Sequence, residues 1–164
     1  MKRIILIIIA LMLTAGVALA EAGGGTSFTF ATTDIAGNTV TSAEAFAGNK
    51  ITLVNLWATW CPPCVGELGE LAQIHQRLRE MDCGVVGILI DSDQAGAIGK
   101  ARSLMEENGI GYPVLVLSED MYNVLSTVEL IPTTFFVDSN GNILGTPIVG
   151  ALPEEYIPAV QALL

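Results

Sequence analysis

The sequence predicts an α/β domain, a three-layer sandwich around a mixed central sheet, and three observations carry that prediction. Ile51 to Trp57 is a continuous apolar run broken only by Asn55, as expected of a central strand buried on both faces. The segments that follow alternate helix and strand, the order that produces parallel pairing. The chain then closes with a strand after Ile131, an Asn140-Gly141 turn into Ile143 to Thr146, and a last helix, which adds antiparallel strands to the parallel part.

The chain has 164 residues and a net charge of -10. Lys2 and Arg3 precede an uninterrupted apolar stretch from Ile4 to Leu13, and Ala18-Leu19-Ala20 follows as a small-residue cleavage site. Residues 1–20 are therefore expected to be a signal peptide or, left uncut, a membrane tether through residues 4–20. No cysteine lies near this boundary, which argues against a lipid anchor there. Residues 21–27, with Gly23-Gly24-Gly25, read as a flexible linker, and residues 28–164 as one domain with enough chain to bury a core. Beyond the leader's two cations, 5 basic residues face 17 acidic ones, a charge of -12. That balance argues against nucleic acid as a partner and favours solubility or attraction of a basic one.

Phe28 to Thr32 and Asn38 to Thr41 alternate around Asp34-Ile35-Ala36-Gly37-Asn38, the pattern of a hairpin. Ser42 is expected to cap a short helix through Phe46. After the central strand, Pro62 to Met81 reads as a long helix that tolerates two prolines because they fall in its first turn. Steps of 100° place Cys64, Leu68, Leu71, Ile74, Leu78 and Met81 on one face, with Glu67 in its middle. A carboxylate aimed at the core is costly unless hydrogen-bonded or protonated, so a raised pKa is expected there. His75 lies at the margin of the face, as a filler rather than a catalytic base. Cys83 opens a strand from Val85 to Ile90, at the far end of the helix and roughly 27 Å along its axis from Cys64. Asp91-Ser92-Asp93 is expected to cap a helix reaching Asn108-Gly109, followed by a strand from Val114 to Leu117 and a short helix from Met121 to Thr127. Pro153 starts the last helix, which Pro158 should kink or delay.

The chemistry sits in Trp57-Ala58-Thr59-Trp60-Cys61-Pro62-Pro63-Cys64. A helix's first turn has unpaired N–H groups and the positive end of its dipole, so a thiolate at Cys61 is stabilised there. Cys64, one turn on, can attack a mixed disulfide at Cys61 and release the partner. A bare C-x-x-C also serves zinc sites and structural disulfides, but zinc would need further ligands, and only Cys83 and His75 are on offer. No metal or organic cofactor is expected.

At these residues the chain resembles the thioredoxin superfamily. Asn55 to Cys64, Glu67 three residues later and Ile131-Pro132-Thr133-Thr134 downstream resemble, more narrowly, the TlpA/ResA-like extracytoplasmic thiol–disulfide oxidoreductases, a likeness running from about Phe28 to Leu164. The resemblance implies a thioredoxin-like sandwich with an N-terminal hairpin extension, and a redox-active disulfide between Cys61 and Cys64. It implies further that Cys61 attacks, Cys64 resolves, Glu67 moves protons, and Pro132 is a cis-proline that turns the Ile131 backbone toward the dithiol. Trp60, Pro62, Pro63, Ile131 and Pro132 would form the docking surface. Asn55 falls where thioredoxins proper keep a buried acid. Expected partners are disulfide-containing exported proteins, apocytochrome c among them, and a membrane thiol electron donor. Two other classes stay open: a copper or haem chaperone using the thiolates as ligands, and a peroxiredoxin-like peroxidase on the same fold, whose Pro-x-x-x-Thr-x-x-Cys pattern would need threonine where Ala58 stands.

Overall fold

The structure, a computed structural model, describes residues 27–164; the expectations for residues 1–20, and for the linker up to Thr26, lie outside that range. Strands β1 (Ala31–Thr33) and β2 (Thr39–Thr41) form a separate antiparallel pair, and α1 (Ser42–Phe46) follows directly. Then come β3 (Ile51–Trp57), α2 (Pro62–Arg79), β4 (Gly84–Leu89), α3 (Ala97–Glu107) and β5 (Val114–Val116). A 3₁₀ turn (Glu119–Met121) runs into α4 (Tyr122–Leu125), and β6 (Thr133–Asp138), β7 (Ile143–Val149) and α5 (Pro153–Leu163) complete the chain. The main sheet has the order β5-β4-β3-β6-β7, parallel from β5 to β3 and antiparallel through β6 and β7. It is the mixed sheet expected from the sequence.

β3 sits at the centre with all seven residues buried, and its period-two alternation divides the core in two. Ile51, Leu53 and Trp57 pack with α2, α3 and α5 through Leu68, Leu71, Ala101, Tyr156 and Val160. Val54 and Leu56 pack on the other face with Phe28, Phe30, Phe46 and Val124. Phe28, Phe30 and Phe46 form an aromatic cluster, with Phe30 edge-on to Phe46 at 5.8 Å between ring centroids. Beneath Trp57, Gly87 of β4 is a close-approach residue: a Cβ there would stand 3.2 Å from Trp57 Nε1 and 3.2 Å from Val114 Cγ2.

Both hairpins turn on the same five-residue pattern, Asp34-Ile35-Ala36-Gly37-Asn38 and Asp138-Ser139-Asn140-Gly141-Asn142. In each, the leading aspartate accepts the Asn backbone N–H, at 2.9 Å, and its side-chain amide, at 2.8 Å. In each, the glycine adopts positive φ, +97° at Gly37 and +86° at Gly141. These bonds hold both carboxyls below their ordinary pKa, with the Asn38 side chain leading for Asp34; at Asp138 burial is the largest influence and opposes them.

Several local expectations are corrected. The cap of α1 is Thr41 rather than Ser42, in a capping box with Glu44. Helix α2 ends at Arg79, two residues short of Met81, because the chain must turn through Asp82, at φ 55°, to enter β4. Phe28 and Phe30 are buried but precede β1. Pro158 lies inside α5, which nonetheless begins at Pro153, so its start is not delayed.

Asp91 does not cap a helix. It is 2% exposed, and its Oδ2 accepts from Thr59 N at 3.1 Å and Thr59 Oγ1 at 2.7 Å, while α3 starts only at Ala97 behind Gly96. The carboxylate that looked like a cap instead ties the end of β4 to the loop leading into Cys61. Asp91→Ala is therefore expected to strand two buried donors and cost about 2 kcal/mol. Urea unfolding checks the loss, and amide exchange at Thr59 should accelerate; an unchanged exchange rate would contradict this role for the carboxylate.

Candidate active site

Strand β3 delivers the chain to Cys61 beyond the C-terminal end of the central strand, and α2 starts from that residue. Cys61 is the N-cap of α2, in extended backbone, and its Sγ accepts from Cys64 N at 3.3 Å. Pro62 and Pro63, both exposed, fill the first two helical positions and donate nothing. Cys61 and Cys64 are joined as a disulfide with Cα atoms 5.3 Å apart. Cys61 keeps 4% exposure and Cys64 none, so an incoming sulfur meets Cys61 first.

On the far side of the disulfide, the Ile131–Pro132 peptide bond is cis, as the resemblance implied, and the Ile131 carbonyl oxygen lies 3.8 Å from Cys61 Sγ. Trp60 is 57% exposed and lines a cleft of about 340 Å³ with Leu56, Tyr122, Leu130 and Ile131. The structure thus brings Trp60, Cys61, Pro62, Pro63, Ile131 and Pro132 to one edge of the molecule.

Glu67 lies one turn beyond Cys64, 3% exposed on the buried face of α2. Its Oε1 accepts from Asn55 Nδ2 at 2.9 Å and its Oε2 from Tyr156 Oη at 2.8 Å. Burial pushes the carboxyl above its ordinary pKa, the hydrogen bonds from Tyr156 and Asn55 pull it back, and Glu70 pushes it further up. Asn55 also donates to Thr134 Oγ1 at 3.0 Å, which the β3–β6 register makes unavoidable because Asn55 and Thr134 are directly opposed. Asn55 is thus a hydrogen-bonded core amide and a ligand of the carboxylate together. Tyr156 escaped the sequence reading altogether. It lies 89 residues from Glu67, and its only sequence signal is a phenol on the apolar face that α5 makes with Ile157 and Val160.

His75 and Cys83 stay out of this arrangement. His75 Nδ1 accepts the Val85 backbone N–H at 3.2 Å, and burial and then Arg79 lower its pKa, so it is a neutral structural acceptor. Cys83 is free and fully buried beyond the far end of α2. Among the described residues no group of three or more His, Cys, Asp or Glu is placed to hold a metal ion. Cys83→Ala is expected to cost about 1 kcal/mol of stability for the lost sulfur and to leave disulfide reductase turnover unchanged. A large loss of turnover in that variant would break the assignment of the chemistry to Cys61 and Cys64.

Known proteins agree with this geometry. The thiol–disulfide oxidoreductase ResA of Geobacillus kaustophilus is 25% identical over 138 residues, which cover 84% of this chain and 75% of that protein. A thioredoxin-family thiol:disulfide interchange protein from Chlorobium tepidum superposes with a TM-score of 0.70 at 26% identity, over 85% of this chain and 96% of the other. A DsbF homologue from Corynebacterium diphtheriae shares the fold with a TM-score of 0.71 at 22% identity, over 87% and 90% of the two chains. The described residues thus have a thioredoxin-like fold carrying a C-x-x-C disulfide. The model of the AhpC/TSA family matches residues 25–145, nearly the whole span from the hairpin extension to β7, and the chain belongs to that family.

Proposed function

We propose that this chain is an exported reductase of protein disulfides, with Cys61 as nucleophile, Cys64 as resolving thiol and Glu67 as the group that takes the Cys64 proton. The reaction class, thiol–disulfide exchange on disulfide-containing proteins, is that of its oxidoreductase relatives. The observation that carries the residue roles is the asymmetry of the pair: Cys61 caps α2 at the molecular edge while Cys64 is sealed beneath it, one turn from a buried carboxylate.

In the reduced enzyme the Cys61 thiolate attacks one sulfur of the client disulfide. The client S–S bond breaks, one client sulfur leaves and takes up a proton, and the other is held as a mixed disulfide. Cys64 passes its proton to the Glu67 carboxylate and attacks Cys61 Sγ, which releases the second client sulfur and closes the Cys61–Cys64 disulfide. Two electrons have passed to the client, both of whose sulfurs take their protons from water, while the Cys64 proton rests on Glu67 until solvent removes it. A thiol donor, by resemblance a membrane-bound one, restores the dithiol. The docking surface is Trp60, Pro62, Pro63 and Ile131, with Pro132, itself buried, turning the Ile131 backbone toward an extended client segment. Export rests on the leader pattern in residues 1–20, and apocytochrome c is a client suggested by the resemblance alone. No helix among the described residues is long and apolar enough to cross a membrane. The peroxidase reading is disfavoured by Ala58, fully buried, which supplies no hydroxyl at the position where that chemistry uses threonine.

The direction of electron flow follows from the prolines. Only Cys64 of the first three helical positions has an N–H to offer the Cys61 sulfur, and α2 has no basic residue in its first turn. A thiolate with few donors is less stabilised, which disfavours the dithiol state and makes the couple reducing.

Two experiments test this. Cys61→Ser should abolish reduction of a protein disulfide, whereas Cys64→Ala should accumulate mixed disulfides with clients on non-reducing gels; equal trapping by both variants would refute the assigned order of attack. Equilibrated against glutathione, the Cys61–Cys64 disulfide should persist until the buffer is strongly reducing, and ready reduction in mildly oxidising buffer would reverse the proposed direction.

A further inference from the structure

The buried end of α5 presents a phenol to the Glu67 carboxylate beneath the disulfide, across 89 residues of sequence. Tyr156 is fully buried, and its hydroxyl donates to Glu67 Oε2 at 2.8 Å, while Asn55 holds the other oxygen. A carboxylate gripped at both oxygens has one orientation, and the grip comes from two elements, β3 and α5. We propose that Tyr156 is a positioning residue for the resolving step: its phenol fixes the Glu67 carboxylate toward Cys64 and tunes how readily that carboxylate accepts the Cys64 proton. The inference rests on the reading of Glu67 as the proton acceptor.

The sign of the effect is fixed by chemistry. A phenol that donates to a carboxylate stabilises the charged form, so removing the donor raises the proton affinity of Glu67. Burial lifts the carboxyl already, Glu70 on its own helix raises it further, and Glu67 in turn acts on the buried Tyr112 just ahead of β5. Asn55 and Thr134, from β3 and β6, do not titrate. Tyr156 is itself pushed well above its usual pKa, first by burial, and remains a donor throughout the working range. In the resolving step the Cys64 proton moves to Glu67, the thiolate forms the bond to Cys61 Sγ, and the client sulfur leaves with the electron pair of the broken S–S bond. Only ionised Glu67 can accept that proton, so the rate of resolution should climb with pH through the Glu67 titration.

The test follows oxidation of the reduced full chain by a peptide disulfide in a stopped flow across pH. Cys64→Ala isolates the first attack, and the difference from wild type isolates resolution. Tyr156→Phe should move the rising limb of resolution upward by about one pH unit. Site-specific replacement of Tyr156 by 3,5-difluorotyrosine, a stronger donor that keeps the ring and the bond, should move it downward and covers the case in which the phenylalanine variant does not fold. Glu67→Gln should remove the limb. If Glu67→Gln removes it but neither Tyr156 variant shifts it, Tyr156 is only structural and this inference fails alone. If the limb survives Glu67→Gln, the role of Glu67 fails and this inference falls with it.

Discussion

A sulfur that must both start a helix and remain within reach of another protein constrains most of this structure. Cys61 can be the N-cap of α2 only if the chain arrives in extended backbone at the helix axis, and β3 provides that approach because it is buried on both faces and cannot shift. A buried strand in turn needs two covered faces. The layer of α2, α3 and α5 covers one, and the aromatic cluster of Phe28, Phe30 and Phe46 with α4 covers the other. The N-terminal extension is therefore part of what keeps Cys61 in place, although its aromatics lie on the sheet face opposite α2.

Fixing the first sulfur leaves the second in the core, and a buried thiol that must ionise needs somewhere to send its proton. In the proposed mechanism Glu67 is that acceptor, at a cost, since an unsatisfied carboxylate in the core would destabilise the fold by several kcal/mol. Asn55 and Tyr156 offset that cost with hydrogen bonds to both oxygens, but they do not cancel it, because the carboxyl stays above its ordinary pKa. A fully compensated carboxylate would be a weaker base. Incomplete compensation leaves it with a useful affinity for protons, the expected signature of a group that transfers them.

What was legible in the sequence divides along the range of the interactions. The strand and helix pattern, the helix opening at Cys61 and the carboxylate on the apolar face of α2 were all readable, because each depends on residues within a turn or two of one another. The cis peptide at Pro132 came from resemblance, not from local pattern. The partners of Glu67 and the true role of Asp91 were hidden. Tyr156 reaches Glu67 only after α5 packs back across the sheet, and Asp91 reaches Thr59 only because β4 pairs with β3 and the two strands end side by side. The acidic Asp91-Ser92-Asp93 stretch carried a genuine cap signal, and tertiary pairing overrode it by burying the first carboxylate before any helix began.

The two buried carboxylates near the dithiol divide its requirements between them. Asp91 accepts both donors of Thr59, just ahead of Trp60 and Cys61, so it acts on the backbone that presents Cys61. Glu67 accepts from side chains only and leaves the backbone of α2 alone, so it is free to change protonation without disturbing the helix that carries Cys64. A carboxylate that anchors main chain is tied to the geometry of that chain, whereas one that exchanges protons must tolerate losing its charge. In the proposed mechanism, separating the two tasks lets the resolving step proceed without loosening the loop that holds Cys61, and it accounts for two costly acids in the core, Glu67 one turn beyond Cys64 and Asp91 bonded to Thr59 just ahead of Cys61.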